Sequence, residues 1–282
     1  MSAVPARRVP FDRVSLLAVP ALGYLTVVYA LPIVWLLLRS VTGPHGFTLQ
    51  PLASFLSDPF NWRVIGNTLK IAGLVTLVCL VIGYPTAFAL AWSRGWAQVV
   101  LLSAIILPLS VGVVVKAFAW QIVLRRDGVV SSALTTLGLA DEPVRLLFTE
   151  TGLVLGAANV FLPFMILPIY SVVKLIDARL LEAGATLGAG PLYRFHRITL
   201  PLTMPGVVTG IAFVFSLSVS MFVIPSLLIG DRYQTLATLT GRSFLLMRNE
   251  QLGSTTATVL LVLAVSVVVA AAVLARRVGR SG

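Results

Sequence analysis

Six long apolar runs alternate with more polar segments along the chain. A helix needs about 20 consecutive apolar residues to cross the hydrocarbon core of a bilayer, so each run is long enough to span it. Several runs contain proline, which membrane helices tolerate because neighbouring helices re-satisfy the freed backbone groups. Pro225 and Gly230 are expected to kink or unwind the end of the fifth run. The pattern predicts membrane spans at Val14–Leu38, Asn67–Ala91, Ala97–Leu124, Thr151–Val173, Gly206–Gly230 and Ser254–Ala275.

The composition agrees with a membrane protein of one domain. The 282 residues are 58% hydrophobic and 11% charged, whereas a soluble domain carries about 25% charged residues. The first run follows Arg7, Arg8 and Arg13. It exceeds the roughly 7–15 apolar residues of a cleaved signal peptide, so we interpret it as a retained span. The predicted fold class is an all-α membrane protein with six transmembrane helices, in a single domain over residues 1–282.

The net charge of +11 indicates membrane topology and not nucleic-acid binding, because the basic residues form no continuous stripe. With the N-terminus in the cytoplasm, the cytoplasmic segments hold eleven Lys and Arg residues and three acidic ones. The outer loops, which are longer, then hold eight basic and seven acidic residues. Lys and Arg are enriched in cytoplasmic loops. The sequence therefore predicts a multi-pass protein with both termini in the cytoplasm and a cytoplasmic loop at residues 174–205.

This loop contains a short helix–turn–helix pattern. Asp177 is suited to cap the start of a first helix, and Glu182 lies early in that helix, where the helix dipole tolerates negative charge. Gly188 can end this helix, Pro191 suits the first turn of the next, and Leu200-Pro201 is expected to end the second piece. One apolar or small face recurs at helical spacing, formed by Leu180, Ala183, Gly184 and Leu187. A face with so little bulk predicts a docking element that another backbone approaches closely.

The stretch from Glu182 to Pro201 resembles the coupling motif of the permease subunits of bacterial ABC importers. That motif reads Glu-Ala-Ala, three residues, Gly, nine residues, then Ile-x-Leu-Pro. Here Glu182-Ala183-Gly184, Gly188 and Ile198-x-Leu200-Pro201 match its spacing, with Gly184 in place of the second alanine. The stretches LPLSVGVVVKAFAW (residues 107–120) and LPFMILPIYSVVKLIDARLLEAGATLGA (residues 162–189) are similar to the spermidine/putrescine-type subfamily.

The resemblance implies a permease core of the maltose- and methionine-importer kind in the bacterial inner membrane, with a cytoplasmic coupling helix. It implies three kinds of partner: an ABC ATPase dimer, a second permease subunit in a heterodimer, and an extracytoplasmic solute-binding protein. It also implies that Glu182, Ala183, Gly184 and Gly188 couple the permease to the ATPase. The local pattern adds Asp177 as a cap and Leu187 as an apolar docking residue.

The chain itself shows no catalytic machinery. It contains no G-x-x-x-x-G-K-[ST] loop for phosphates, so ATP and Mg²⁺ are expected on the partner ATPase and no cofactor on this chain. Its histidines have no metal-ligand partners at useful spacing, so we predict no metal site. An intramembrane enzyme would need a nucleophile–base pair or a carboxylate–metal set, and the spans contain no carboxylate and no histidine. We therefore predict a non-catalytic transport subunit.

Five residues are candidates for the substrate path. Lys116 lies inside the third run, where a charge should face the protein interior or a wet cavity. A structural partner or snorkelling toward the interface would explain Lys116 equally. Ser216 and Ser220 are four residues apart and either line a polar path or bond between helices. The same path includes Trp120 and Phe164, for which core packing is the alternative.

The predicted cargo is a small organic solute, a polyamine or a related amine or amino-acid-like compound. No Asp or Glu falls within the six spans, which argues against a proton-coupled carrier. It also leaves a polyamine without counter-charge in this subunit, so either a sister permease supplies the acids or the cargo is not a polycation. An ATP-independent secondary carrier or channel remains the alternative function.

Overall fold

A computed structural model describes residues 13–43, 46–230 and 233–278 of the chain. Of the basic residues counted for topology, Arg7, Arg8, Arg232 and Arg280 lie outside these ranges. The described residues are mainly helical, which confirms the all-α fold class, and one two-residue antiparallel hairpin follows the first helix. The elements are α1 Arg13–Ser40, β1 Thr42–Gly43, β2 Gly46–Phe47, α2 Gln50–Ser57, α3 Pro59–Trp92, α4 Trp96–Ser110, α5 Val113–Val123, α6 Val129–Thr136, α7 Glu150–Val173, α8 Ala178–Thr186, α9 Pro191–Arg194, a π-helical turn Phe195–Thr199, α10 Leu200–Ser220, α11 Val223–Leu228, α12 Leu236–Leu245 and α13 Glu250–Val278.

Five helical segments among the described residues are long and apolar enough to cross a membrane, and a bent pair makes a sixth. The bent pair is the predicted third run, Ala97–Leu124. It divides into α4 and α5, whose axes meet at 104°. Val111 between them is extended and Gly112 caps α5. Pro108 lies three residues before this break and removes a backbone donor from the end of α4. The run is therefore not one straight helix.

Two helices have bounds that differ from those of the predicted spans, for identifiable reasons. The second helix begins at Pro59 and not at Asn67, because the Asp58 side chain accepts a hydrogen bond from the Phe60 N–H at 2.8 Å and Pro59 fits the first helical turn. The fifth run breaks at Met221, earlier than predicted. A proline ring clashes with the carbonyl four residues before it, and Met221 stands four residues before Pro225.

The core is formed where α3, α7 and α10 pack against one another. Helix α7 is its centre, with fully buried side chains that include Leu153, Met165 and Ile166. Gly206 and Gly210 allow α10 to lie directly on α7. A Cβ atom at Gly206 would lie 2.9 Å from the Pro168 carbonyl oxygen, and one at Gly210 would lie 2.8 Å from Met165 Sδ. The absence of a side chain at these two positions therefore allows the close packing of α10 on α7.

Candidate coupling surface and translocation path

The helix–turn–helix segment has well-formed helix ends. The Asp177 carboxylate accepts a hydrogen bond from the Arg179 N–H at 2.9 Å, which confirms the predicted cap of α8. Gly188 has a φ of +79°, a conformation that glycine adopts without strain. The N–H groups of Gly188 and Ala189 donate to the carbonyls of Ala185 and Gly184, both at 3.0 Å. This is a Schellman ending, which satisfies two carbonyls at the end of α8.

Arg194 fastens α8 to α9. Its Nη1 atom donates to the Leu181 carbonyl at 3.1 Å. Its aliphatic stem lies against Gly184, where an added Cβ would be 3.3 Å from Arg194 Cγ and 3.1 Å from Ile198 Cδ1. The predicted small face is therefore divided. Gly184 packs within the segment, whereas Ala183 and Leu187 remain exposed to a partner.

We expect Arg194→Ala to loosen this segment. The variant removes a hydrogen bond from a charged donor and the stem that covers Gly184, so α8 should lose about 1–3 kcal/mol of local stability. Hydrogen exchange of the α8 amides in the purified protein measures this loss. Arg179→Ala is the matched control, because Arg179 is exposed on the same helix. Equal exchange rates in the two variants would contradict the proposed fastening.

The second piece of the segment does not end at Leu200-Pro201, which corrects the prediction. Residues 191–220 form one helical rod that runs from α9 through the π-helical turn into α10. Pro201 has no N–H to donate, and just before it the Leu200 N–H donates to the Phe195 carbonyl across five residues. This π-helical geometry accommodates the missing donor without breaking the rod. The helix–turn–helix segment is therefore continuous with α10 in the core.

Contacts between the π-helical turn, α10 and α3 brace the base of this rod. The Phe195 ring lies edge-on to Tyr84 with ring centroids 6.2 Å apart, and 6.4 Å from Phe88. The Tyr84 hydroxyl and Thr203 Oγ1 are 3.1 Å apart and share a hydrogen bond. Aromatic pairs at such separations contribute about 0.5–1.5 kcal/mol beyond their buried area. The rod is therefore held laterally where it enters the core.

The segment exposes several apolar side chains and also the carboxylate of Glu182, which lies on the other side of α8 from Leu180 and Leu187. Glu182 is exposed and makes no ion pair with any described residue. Leu187 is 87% exposed and Leu180 is 48% exposed. The turn and α9 add Leu192 and Tyr193 to the exposed set. Contiguous exposed apolar residues with a polar rim mark protein interaction sites. We call this surface, formed by Leu180, Glu182, Ala183, Leu187, Leu192 and Tyr193, the α8–α9 face.

The five predicted path residues do not meet in one cavity. Ser220 lines a groove with Ile33 of α1 and Leu260 of α13, and its Oγ donates to the Ser216 carbonyl at 2.8 Å. The Ser216 hydroxyl itself is buried and has no hydrogen-bond partner among the described residues. Phe164 is half-buried against the core cluster, which favours packing as its role.

Lys116 and Trp120 lie on α5, away from this groove. The side chain of Lys116 is half-buried and forms no ion pair with any described residue. The Trp120 Nε1–H donates to Asn159 Oδ1 of α7 at 3.1 Å. Asn159 is not among the five path residues predicted from the sequence. The sequence alone distinguishes Asn159, because it is the only amide side chain in the fourth apolar run.

A cluster of polar side chains lies at the end of the molecule opposite the α8–α9 face. Lys70 of α3 pairs with Glu150 of α7, with Nζ and Oε2 2.5 Å apart. The Asn67 amide donates to the Gln234 carbonyl at 3.2 Å, which ties α3 to the segment before α12. Burial and the nearby Glu150 charge raise the pKa of the Tyr233 phenol above its ordinary value, so the hydroxyl stays protonated at neutral pH. These contacts join three elements at this end.

The chain matches a known family over most of its length. The profile described as "Binding-protein-dependent transport system inner membrane component" matches residues 80–280. The spermidine/putrescine transport system permease protein PotB of Haemophilus influenzae is 35% identical over 199 residues, which cover 71% of this chain and 70% of that protein. PotB of Escherichia coli K12 is 34% identical over 210 residues, which cover 74% of this chain and 76% of that protein.

Solved structures show the same fold at low identity. A bacterial ABC transporter involved in the import of the acidic polysaccharide alginate contains a chain that matches with a TM-score of 0.74 and 18% identity, covering 94% of this chain and 95% of that one. The MetNI methionine ABC transporter contains another, with a TM-score of 0.59 and 16% identity, covering 78% of this chain and 98% of that one. At these identities the likeness concerns the fold alone.

Proposed function

Because the chain belongs to the family of binding-protein-dependent transport system inner-membrane components, we propose that its α8–α9 face couples a partner ATPase to the translocation path. The chain is a permease component of an ABC importer in the inner membrane, and the predicted permease-core fold is confirmed. One observation carries the coupling proposal: the exposed α8–α9 face is fastened by Arg194 to a rod that continues into the buried helix α10.

Coupling places the α8–α9 face in the cytoplasm, where ATP is available. The sequence pattern of Lys and Arg supports this orientation, because the segments on that side hold eleven basic and three acidic residues. Helices α1 and α13 then begin and end, respectively, on the cytoplasmic side. The Lys70–Glu150 pair lies at the outer end, where a solute-binding protein would deliver cargo.

The remaining partners follow from the same proposal. The ATPase dimer would hold ATP and Mg²⁺ and hydrolyse ATP, since this chain has no phosphate-binding loop of its own. A second permease subunit would complete the path as a heterodimer. The expected cargo is a small organic solute, a polyamine or a related amine or amino-acid-like compound.

Affinity purification of this chain from native membranes, with mass spectrometry of the co-purified proteins, tests the proposal. We expect a P-loop ATPase and a second six-helix permease in the same complex. Recovery of the chain alone, or only with copies of itself, would overturn the coupling role and favour an ATP-independent carrier or channel.

A further inference from the structure

An amide side chain is exposed in the middle of an otherwise apolar and largely buried helix. Asn159 lies on α7 between Ala158 and Val160, which are 5% and 3% exposed. Thr151, which is exposed, and Leu155, which is half-buried, precede it at intervals of four residues on the same stripe of α7. An amide left facing hydrocarbon is costly, so polar side chains at this depth face protein or a water-filled cavity. Asn159 is therefore expected to face protein or a water-filled cavity and not lipid.

The amide orientation is fixed by Trp120. The indole N–H can only donate, so at 3.1 Å its partner atom must be the Asn159 carbonyl oxygen. The amide nitrogen then points away from Trp120 with two N–H donors. Neither donor has a hydrogen-bond partner among the described residues, so the site presents both to anything that enters the path.

Lys116 adds a positive charge to the same region. It precedes Trp120 by four residues on α5, so the two side chains lie on one face of that helix. Helices α7 and α11 pack against α5. Helix α11 contains no Asp or Glu, and the one carboxylate of α7, Glu150 at its first residue, pairs with Lys70, so neither helix forms an ion pair with Lys116. The lining built from Lys116, Trp120 and Asn159 thus offers a cation, an amide donor and an aromatic ring.

We infer that Lys116, Trp120 and Asn159 form a subsite for the carboxylate of a small solute. The ammonium group and the amide N–H groups match the two oxygens of a carboxylate, and Trp120 holds the amide in the donating orientation. A diamine has no acceptor for these donors, and its ammonium groups are repelled by Lys116. The inference rests on the proposed function. It narrows the expected cargo of the importer from amines in general to solutes that carry a carboxylate.

The test compares solutes of equal chain length in proteoliposomes that contain the complete importer with its binding protein. Labelled 4-aminobutanoate and succinate carry carboxylates, whereas 1,4-diaminobutane does not. We expect ATP-dependent uptake of at least one carboxylate. Asn159→Asp keeps the acceptor for Trp120 but replaces the amide donors with oxygen, so it should lower that uptake about 10- to 100-fold, the range for a hydrogen bond to a charged group.

Three further variants separate charge from packing. Lys116→Met should lower carboxylate uptake about as strongly as Asn159→Asp, and Lys116→Arg should retain it. Ser171→Asp adds a carboxylate at an exposed position near the other end of α7 and should leave the ratio of carboxylate to diamine uptake unchanged.

The outcomes distinguish the subsite from the importer itself. Uptake of 1,4-diaminobutane alone, uptake of none of the three solutes, or a ratio that neither Asn159→Asp nor Lys116→Met changes would overturn the subsite. The importer proposal stands in all three cases if the complex holds its ATPase and the binding protein stimulates ATP hydrolysis. Loss of the ATPase from the purified complex would overturn the proposed function, and the subsite with it.

Discussion

Glu182→Lys is expected to reduce ATP-dependent solute uptake by about 100-fold while membrane insertion of the chain stays normal. Glu182 is exposed on α8, as one of the residues of the α8–α9 face, and forms no ion pair with any described residue. Reversing its charge leaves the fold intact but opposes a partner surface that accommodates a carboxylate. Like charges placed together in an interface cost several kcal/mol, and about 1.4 kcal/mol corresponds to a factor of ten.

The measurement is uptake and ATP hydrolysis by the same reconstituted complex. ATP hydrolysis should continue without driving uptake, because the hydrolytic site lies on the partner. Glu142→Lys is the matched control: it makes the same change at a side chain that is 86% exposed, in the loop before α7, with a loose ion pair to Arg126 at 3.9 Å. Normal uptake by the Glu182 variant, or equal losses in both variants, would remove the α8–α9 face from the coupling mechanism.

Local features of the coupling segment could be predicted because they depend on neighbouring residues. The Asp177 cap and the turn at Gly188 each follow from a side chain or a φ angle within one helical turn. Hydropathy located the apolar runs but not their shape. Pro108 and Gly112 stand inside a run whose hydropathy predicts one span, and the 104° turn between α4 and α5 was not predicted from that hydropathy.

Contacts between distant residues could not be predicted from one sequence. Gly184 looks like part of an open docking face until Arg194, ten residues later, is seen to lie on it. Lys70 and Glu150 are 80 residues apart, and Trp120 and Asn159 are 39 apart. Helical periodicity gives the face on which a residue lies, but not the helix that it meets. The Gly184–Arg194 packing and the Trp120–Asn159 contact therefore needed the structure, whereas the Asp177 cap and the Gly188 turn did not.

Gly206→Val is expected to lower the midpoint of thermal unfolding of the purified complex by about 2–12 °C. A Cβ atom at this position would lie 2.9 Å from the Pro168 carbonyl oxygen and 3.1 Å from Ile169 Cα. Both are backbone atoms of α7, so no side chain can move aside, and α10 must separate from α7. Overpacking of this kind costs about 1–3 kcal/mol, which corresponds to about 2–4 °C per kcal/mol in a protein of this size.

Gly66→Val is the control, because it places the same side chain in helix α3 where no atom lies within 4 Å of the added Cβ. Both substitutions change helix propensity equally. The difference between the unfolding midpoints of the two variants therefore measures the effect on the α7–α10 contact. The rod that carries the α8–α9 face passes through this contact, and separating the two helices should also lower transport per ATP hydrolysed. Equal unfolding midpoints for the two variants would mean that α10 does not depend on its close approach to α7. The rod could then not transmit force to the core through this contact.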